Sequence, residues 1–447
     1  MKPFLLLPLL SASLGLAAEK PNLLIIYTDD QGYGDTSMYG KEGIETPHMD
    51  RIAEEGMLFT RMRANCTVCT PSRAALITGI YADRAGAPGV IRNERHRSWG
   101  YLDPEVPTIA DELNELGYHT ALIGKWHLGL ESPNIPNDRG FDFFHGFLGD
   151  MMNDYYHHKR GGVNWMRKNR EVVDSKGPHA TELFTDWADA YLKDRSQKKE
   201  PFFLFLAYNA PHFPIQPPKE WVEKVRKREP DMSEGRVQAV AFVEHTDHEI
   251  GRVLKSLEDY GLADNTVVFF TSDNGGSSQH FQENDPWRGG KQDHYDGGLM
   301  VPFAVRWPGT VKAGTQSDYQ GLTFDIFSTC IEAANGKPRE GLDAVSLMPL
   351  LKGEDFSTPD RELYFVRREG GGNQAGKAYH AIIKDGWKLM QNDPFSPLEL
   401  YHLAKDPQET KNLIESEPKR VERMAFRMSQ HIQNGGRTPW MAPKPEK

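Results

Sequence analysis

The chain has 447 residues, more than one small core holds and enough for a large domain with a smaller partner. Hydrophobic residues make up 38%, charged residues 26% and aromatic residues 11%, the make-up of a globular enzyme rather than a disordered or fibrous chain. A formal net charge of −10 without any block of Lys or Arg excludes a phosphate-tracking nucleic-acid face, while a locally basic pocket for a small anion stays compatible with it.

The chain opens MKPFLLLPLLSASLGLAAEKPN: one positive side chain, an apolar run, then small residues. That is the layout of a secretory signal cleaved near Ala17 or Ala18. The apolar run is short for a spanning helix, and no later stretch is apolar enough to cross a bilayer. Pro21 to Thr28 (PNLLIIYT) predicts a buried strand that runs straight into Asp29-Asp30. Thr46-Pro47 opens a helix through Met49, Ile52 and Ala53 that stops at Gly56, and a second strand follows near Leu58–Met62. CTPSRAALITG predicts a helix with Pro71 in its first turn and Gly79 as its stop. Thr108–Leu116 is a helix, Tyr118–Gly124 a strand and Phe202–Tyr208 another buried strand. A long helical pattern over Ser233–Tyr260 ends at Gly261, and the strand Thr266–Ser272 follows it.

Around Glu340–Pro359 the chain becomes rich in Gly, Pro and Asp, which marks a boundary. Beyond it, RELYFVRRE, YHAIIKDGWKLMQ and LELYHL predict short antiparallel strands, with a charged helix from about Glu417. The expected division is a signal over 1–18, a catalytic unit over 19–345 and a small α+β unit over 346–447.

Continuous apolar strands alternating with amphipathic helices predict a largely parallel sheet covered on both faces. Ligands of such sheets bind beyond the carboxyl ends of the strands. The polar clusters sit at those ends: Asp29-Asp30, Lys125 to His127, His212 and Asp273-Asn274. Taken singly, Asp29-Asp30 and Asp273-Asn274-Gly275-Gly276 are as readily solvated turns. Together they offer three carboxylates and one amide, all oxygen donors, which suit a hard cation rather than zinc. Three cysteines, Cys66, Cys69 and Cys330, are too few for a disulfide framework. If one is consumed by chemistry, the other two either pair or lie buried.

The segment Cys69-Thr70-Pro71-Ser72-Arg73 is different in kind. It resembles the signature of the formylglycine-dependent sulfatases, and the resemblance extends through GKWHLG, NAPHFPIQPP, FFTSDNGG, RGGKQDHYDGGLMVPFAVRWPG and ELYHLAKDPQETKNL, in order, over nearly the whole mature chain. It implies an alkaline-phosphatase-like α/β fold: a large domain with a mostly parallel sheet between helices, and a smaller α+β domain with a short antiparallel sheet. It implies that Asp29, Asp30, Asp273 and Asn274 hold a divalent cation, Ca²⁺ first and Mg²⁺ second. Cys69 matches the residue that a maturation enzyme oxidises to formylglycine, and Arg73 the residue that holds it. Lys125, His127, His212 and Lys291 match the remaining catalytic residues.

In that chemistry the aldehyde hydrates to a geminal diol, one hydroxyl attacks sulfur, and the substrate alcohol leaves. Deprotonation of the second hydroxyl, with His127 as base, expels sulfate and restores the aldehyde. Lys125, Lys291, Arg73 and the metal stabilise the developing charge, and His212 or Lys291 protonates the alcohol. The implied substrates are sulfated carbohydrates or aryl sulfates, and the implied compartment is extracytoplasmic, in a bacterium. Two rivals stand beside this reading: a phosphonate monoester or phosphodiester hydrolase with the same nucleophile, and a catalytically silent carbohydrate-binding relative.

Other features carry less. Glu244-His245-Thr246-Asp247-His248 has metal-ligand spacing but falls inside the long helix, where packing is expected. Asn65-Cys66-Thr67 fits a glycosylation acceptor only incidentally. The cluster Tyr155 to Arg160, with Trp165 and Arg167, either lines the substrate pocket or forms a solvated insertion. After Lys291 the run Gln-Asp-His-Tyr-Asp departs from the family's usual small residues and Glu, which directs His294 towards the substrate region.

Overall fold

The computed structural model describes residues 20–93, 98–174, 176–357, 360–369, 377–436 and 438, so the signal read at 1–18 lies outside the described residues. Twelve strands precede the C-terminal region: β1 (Asn22–Thr28), β2 (Met57–Phe59), β3 (His119–Lys125), β4 (Phe143–Phe147), β5 (Lys159–Arg160), β6 (Val163–Asn164), β7 (Met166–Lys168), β8 (Glu171–Val172), β9 (Phe202–Ala207), β10 (Thr266–Ser272), β11 (Phe303–Arg306) and β12 (Thr315–Ser317). Ten of them form one sheet in the order β12-β2-β11-β10-β1-β9-β3-β4-β7-β8, while β5 and β6 pair separately.

The central strands β10, β1, β9, β3 and β4 are all parallel. β1 shows why its residues form an inner strand: all seven are buried, and Leu24 pairs with Val268 on one side and Leu204 on the other. A strand covered on both faces needs an unbroken apolar run, which NLLIIYT supplies. Leu23, Ile25 and Tyr27 pack on one face with residues of the Cys69–Thr78, Ile109–Glu115 and Asp325–Ala333 helices. Leu24 and Ile26 face the opposite layer, built from the Pro47–Glu54, Ala180–Arg195 and Glu234–Asp259 helices. Antiparallel pairs flank that centre, β11 against β10 and β2 and β7 against β4 and β8, while β12 at one edge runs parallel to β2.

A second sheet of β13 (Leu363–Glu369), β14 (Lys377–Lys384), β15 (Trp387–Gln391) and β16 (Glu399–His402) is antiparallel throughout. The Pro418–Asn434 helix covers it through Met424 and Met428. The expected architecture, a mostly parallel helix-covered sheet with a small antiparallel one, is therefore met. The helices Ala180–Arg195 and Lys219–Arg228 were not foreseen from the pattern.

Several local expectations resolve here. Cys66 and Cys330 are both free and buried, and the Cys66 thiol donates to the Val366 carbonyl at 3.3 Å. In the long helix, Asp247 accepts the N–H groups of His48 (3.1 Å) and Met49 (2.8 Å) and so caps the Pro47–Glu54 helix. Glu244 accepts from the Glu45 N–H at 3.0 Å and pairs with Arg228. Both are packing residues. Asn65 is buried, with its amide spent on the Ser72 carbonyl and the Phe324 N–H. Among the described residues no helix is long and apolar enough to cross a membrane.

Candidate active site

β1 and β10 run side by side in phase, with Thr28 opposite Ser272. Asp29-Asp30 and Asp273-Asn274 therefore leave the sheet together at its carboxyl edge. Asp30 takes a left-handed backbone (φ 63°), an uncommon conformation for a residue with a Cβ. Its N–H donates to Asp273 Oδ1 at 3.1 Å, which ties the two strand ends together. The turn after Asn274 packs tightly: a Cβ on Gly275 would lie 1.9 Å from the Gly297 carbonyl, so glycine is required there.

Cys69 is the first residue of its helix, after an extended Val68 that offers no side-chain cap. The N-terminal end of that helix, with its unsatisfied N–H groups and partial positive charge, thus faces the acidic cluster. Cys69 Sγ lies 3.3 Å from Asp29 Oδ1 and 4.0 Å from Asp30 Oδ1. Each carboxylate has its own cation. Lys125 Nζ, at the end of β3, donates to Asp29 Oδ2 at 2.5 Å. Lys291 Nζ donates to Asp30 Oδ2 at 2.7 Å and lies 3.8 Å from Cys69 Sγ. Arg73 donates twice to Asp273 Oδ2, at 3.1 and 2.9 Å, and once to the Lys125 carbonyl at 3.2 Å. Its hydrogen bonds thus brace Asp273 and β3.

Electrostatics sort these groups. Burial pushes Asp30 up, but Lys291 and then His212 outweigh it and hold the carboxyl well below the usual range. Asp273 is pushed up to about 6 by burial and by Asp29, against Arg73 and Lys125. Burial, with Asp273 and Asp29, raises the Cys69 thiol far above its ordinary value.

The two histidines are neutral for the same reason. Burial drives His127 well below its ordinary value, and Lys125 and Arg73 add to that. Its Nε2 donates to the Ile91 carbonyl at 3.0 Å, which fixes the tautomer and leaves Nδ1, buried and without a partner, free to accept a proton. His127 also has a left-handed backbone (φ 59°), and Thr70 Oγ1 donates to its carbonyl at 3.2 Å. Burial and Lys291 bring His212 down to about 3. Its Nδ1 donates to the Phe213 carbonyl at 2.6 Å, and its Nε2 faces Asp30 Oδ2 at 3.5 Å.

The residues present fit a hard cation. Ligand atoms of Asp29, Asp30, Cys69 and His212 lie within 4.8 Å of one another. The Asn274 amide donates through Nδ2 to Asp30 Oδ1 at 2.9 Å, which leaves its Oδ1 buried without a partner. Three carboxylates and that oxygen are hard donors. Three fixed cations already balance the three carboxylates, so an added dication would leave net positive charge to attract an anion.

All ten sequence-predicted residues converge on this edge of the sheet. His294 does not. It is fully buried against the second sheet, with its N–H on Asn392 Oδ1 (2.6 Å) and its carbonyl on Lys388 Nζ (3.1 Å). The whole Lys291 loop is pinned to that sheet, since Arg367 Nη1 donates to the Gln292 carbonyl at 3.1 Å and the Asp296 N–H donates to Glu409 Oε2 at 2.6 Å. The cluster after Met152 divides. Tyr155 is buried, its hydroxyl 2.8 and 2.9 Å from the carbonyls of Asn209 and His212, so it supports the loop that carries His212. Its position inside a motif-like cluster was the only signal for that role.

The sulfatase family profile matches residues 21–336, and the profile of the N-sulphoglucosamine sulphohydrolase C-terminal region matches residues 290–435. Human N-acetylgalactosamine-6-sulfatase is 32% identical over 376 residues, 78% of this chain and 69% of that protein. The N-acetylgalactosamine-6-O-sulfatase of Bacteroides thetaiotaomicron is 28% identical over 498 residues, covering 92% of this chain and 93% of that protein. Ps i-CgsB, solved in complex with k-i-k-neocarrahexaose, superposes with a TM-score of 0.85 at 28% identity, with 95% of each chain covered. On the profile match over most of its length, the chain belongs to the sulfatase family and is a sulfuric ester hydrolase.

Proposed function

We propose that the enzyme removes sulfate from carbohydrates, with Cys69 acting as formylglycine and with a divalent cation, Ca²⁺ before Mg²⁺, on Asp29, Asp30, Asp273 and Asn274. One observation carries this: residue 69 opens its helix at the centre of a charge-matched cluster, 3.3 Å from Asp29 and 3.8 Å from the Lys291 ammonium, where a nucleophile would stand. The carbohydrate part is supported by relatives named for N-acetylgalactosamine-6-sulfate hydrolysis and by a fold neighbour solved with a hexaose.

Oxidation of Cys69 supplies an aldehyde whose hydrate carries two hydroxyls, one to attack sulfur and one to release it. A bound dication supplies Lewis-acid stabilisation of that hydroxyl and of the sulfuryl oxygens. The remaining work belongs to the chain. Lys125, Lys291 and Arg73 hold fixed positive charge around the transferring group. His127 Nδ1 takes a proton in the release step. His212 Nε2 and Lys291 Nζ reach the same Asp30 oxygen, at 3.5 and 2.7 Å, and flank the place where the alcohol departs. Residues 69–73 are buried in the folded chain, so the maturation enzyme must meet them before folding. The signal-like pattern at 1–18 supports a secreted or periplasmic enzyme.

Mass spectrometry of the tryptic peptide containing Cys69, from protein made in a maturation-competent host, tests the chemistry. The expected peptide has lost sulfur and gained an aldehyde oxygen. Full activity from an unmodified thiol would overturn the formylglycine assignment. Comparing kcat/KM for 4-nitrophenyl sulfate and a matched phosphodiester tests the reaction class, and the sulfate is expected to win.

A further inference from the structure

The second sheet holds the loop that delivers Lys291 from the side that follows the lysine. On the side that precedes it, a short strap, residues 282–284, meets three loops of the site in three consecutive residues. Gln282 accepts the Ser277 N–H through Oε1 at 2.8 Å and donates through Nε2 to the carbonyl of Pro211, next to His212, at 3.0 Å. The Glu283 carbonyl accepts the Gly34 N–H at 3.0 Å, and the Glu283 N–H donates to Asp35 Oδ2 at 3.1 Å. These two bonds tie the strap to the turn that follows Asp29-Asp30.

Asn284 makes the third connection. It is buried, and its amide bonds to backbone on both sides. Oδ1 accepts the Gly276 N–H at 2.6 Å, while Nδ2 donates to the carbonyls of Gly276 at 3.0 Å and Gly289 at 3.2 Å. The Gly276 carbonyl also accepts the Lys291 N–H at 2.9 Å. One planar group therefore joins the turn after Asp273-Asn274 to the loop of Lys291, two residues before the lysine. A Cβ on Gly290 would lie 2.9 Å from Asn284 Nδ2 and 2.7 Å from the Gly276 oxygen, so the loop rests on the amide itself. The partners also fix the residue type, because an amide offers one acceptor and two donors. Aspartate has the same shape but sets an oxygen against two buried carbonyls that need N–H groups.

We propose that Asn284 is a positioning residue, which sets the Lys291 ammonium against Asp30 and residue 69 by fixing the 289–291 backbone to the turn after β10. Lys291 Nζ meets Asp30 Oδ2 at 2.7 Å, and Glu283 and Asn284, adjacent in sequence, hold the loops of the two partners. A misplacement of about 1 Å is enough to cost on the order of 10²-fold in rate. The proposal rests on the reading of Lys291 as part of the reaction centre.

Wild type, Asn284→Asp, Lys291→Ala and the double variant are compared on 4-nitrophenyl sulfate, whose acidic phenol leaves with little help and keeps the lysine variants measurable. Turnover is expressed per formylglycine-bearing chain, at a temperature where circular dichroism shows all four folded. Asn284→Asp should lower kcat about tenfold or more and leave KM within about threefold, because the displaced charge is missed in the transition state. In the Lys291→Ala background the same change should alter kcat by less than about 2-fold, since the group it positions is already gone. A residue that only stabilises the fold would cost the same factor in both backgrounds. Where Asn284→Asp does not fold, Asn284→Ser, which adds no charge, replaces it with the same expectation. Equal losses in the two backgrounds, or wild-type kcat in the single Asn284 variant, overturn the positioning role and leave the reading of Lys291 intact. Wild-type kcat in Lys291→Ala overturns both.

Discussion

Three buried carboxylates facing three cations, Lys125 and Arg73 buried and Lys291 partly so, make each residue of the site answerable for its partner. Asp273 is the sharpest case, because it is both a metal-ligand candidate and the carboxylate that accepts two hydrogen bonds from Arg73. Asp273→Ala should lose bound metal by elemental analysis, and it should destabilise the fold by about 3–5 kcal/mol because a buried guanidinium loses its partner. Full metal occupancy in the variant would remove Asp273 from the ligand set. His212 Nε2 and Lys291 Nζ converge on the same Asp30 oxygen, at 3.5 and 2.7 Å. His212 is held neutral with its proton on the Phe213 carbonyl, so Lys291 is the group with a proton to give. Lys291→Ala should therefore lose about tenfold or more beyond its loss on aryl sulfates with acidic phenols when assayed on alkyl sulfates, which need a proton to leave. Equal losses across leaving groups would return that role to His212. The candidate ligand residues were legible as oxygen donors in the sequence because each pair ends a continuous apolar strand. The free Nδ1 of His127 and the support from Tyr155 were not, since both depend on carbonyls of distant segments, Ile91 for one and Asn209 and His212 for the other.

Among the elements, the Ala180–Arg195 helix shows where pattern reading fails. Its buried stripe includes Ala180, Thr181, Thr185 and Ala188, which repeat at helical spacing but are too small or polar to register as an apolar face. Its N-cap is also unusual. His179 Nδ1 accepts the Thr181 N–H at 3.3 Å while Nε2 donates to the Gln216 carbonyl at 3.1 Å. That arrangement needs a neutral ring, since protonation would turn the accepting nitrogen into a donor and place positive charge at a helix N-terminus. Burial, with His245 adding to it, brings His179 from 6.5 down to about 3. The unfolded chain therefore takes up the proton first as pH falls. The stability contributed by the neutral ring is complete above pH 6.5 and is lost progressively towards pH 3. His179→Asn, which keeps a capping oxygen, should remove about one proton from this dependence, or about 1.4 kcal/mol per pH unit. Urea unfolding at pH 7 and pH 5 should show wild type losing about 2 kcal/mol more than the variant between them. Parallel curves would mean that His179 does not carry the effect. Tyr155, which supports the His212 loop, stacks on this ring at 4.9 Å, so the cap also borders the site.

At the scale of the whole molecule, the question is why a small antiparallel sheet accompanies the enzyme core. Its short strands were legible in the sequence, but its use was not, because that depends on which face meets the core. The structure gives a concrete answer in four charged residues, all essentially excluded from solvent. Arg63 from the core donates to both oxygens of Asp296, which closes the Lys291 loop. Lys388 of β15 reaches Asp296 at 2.6 Å and Glu409 at 2.8 Å, and also holds the His294 carbonyl. Burial opposes ionisation of Asp296, but Arg63 and Lys388 outweigh it and keep its carboxyl below the usual range. The second sheet thus acts as a clamp on the loop that delivers Lys291, and the profile of the C-terminal region accordingly begins at residue 290. Lys388→Met should cost about 3–5 kcal/mol in urea unfolding, because Glu409 loses its buried partner. Adding Glu409→Gln should recover part of that loss, since the amide oxygen can still accept the Asp296 N–H without a stranded charge. Activity separates a clamp from a mere stabiliser. Measured where circular dichroism shows both variants folded, kcat should stay about tenfold or more below wild type, because a displaced lysine no longer meets the developing charge. Wild-type kcat in the folded double variant would show that the second sheet stabilises the fold without positioning Lys291.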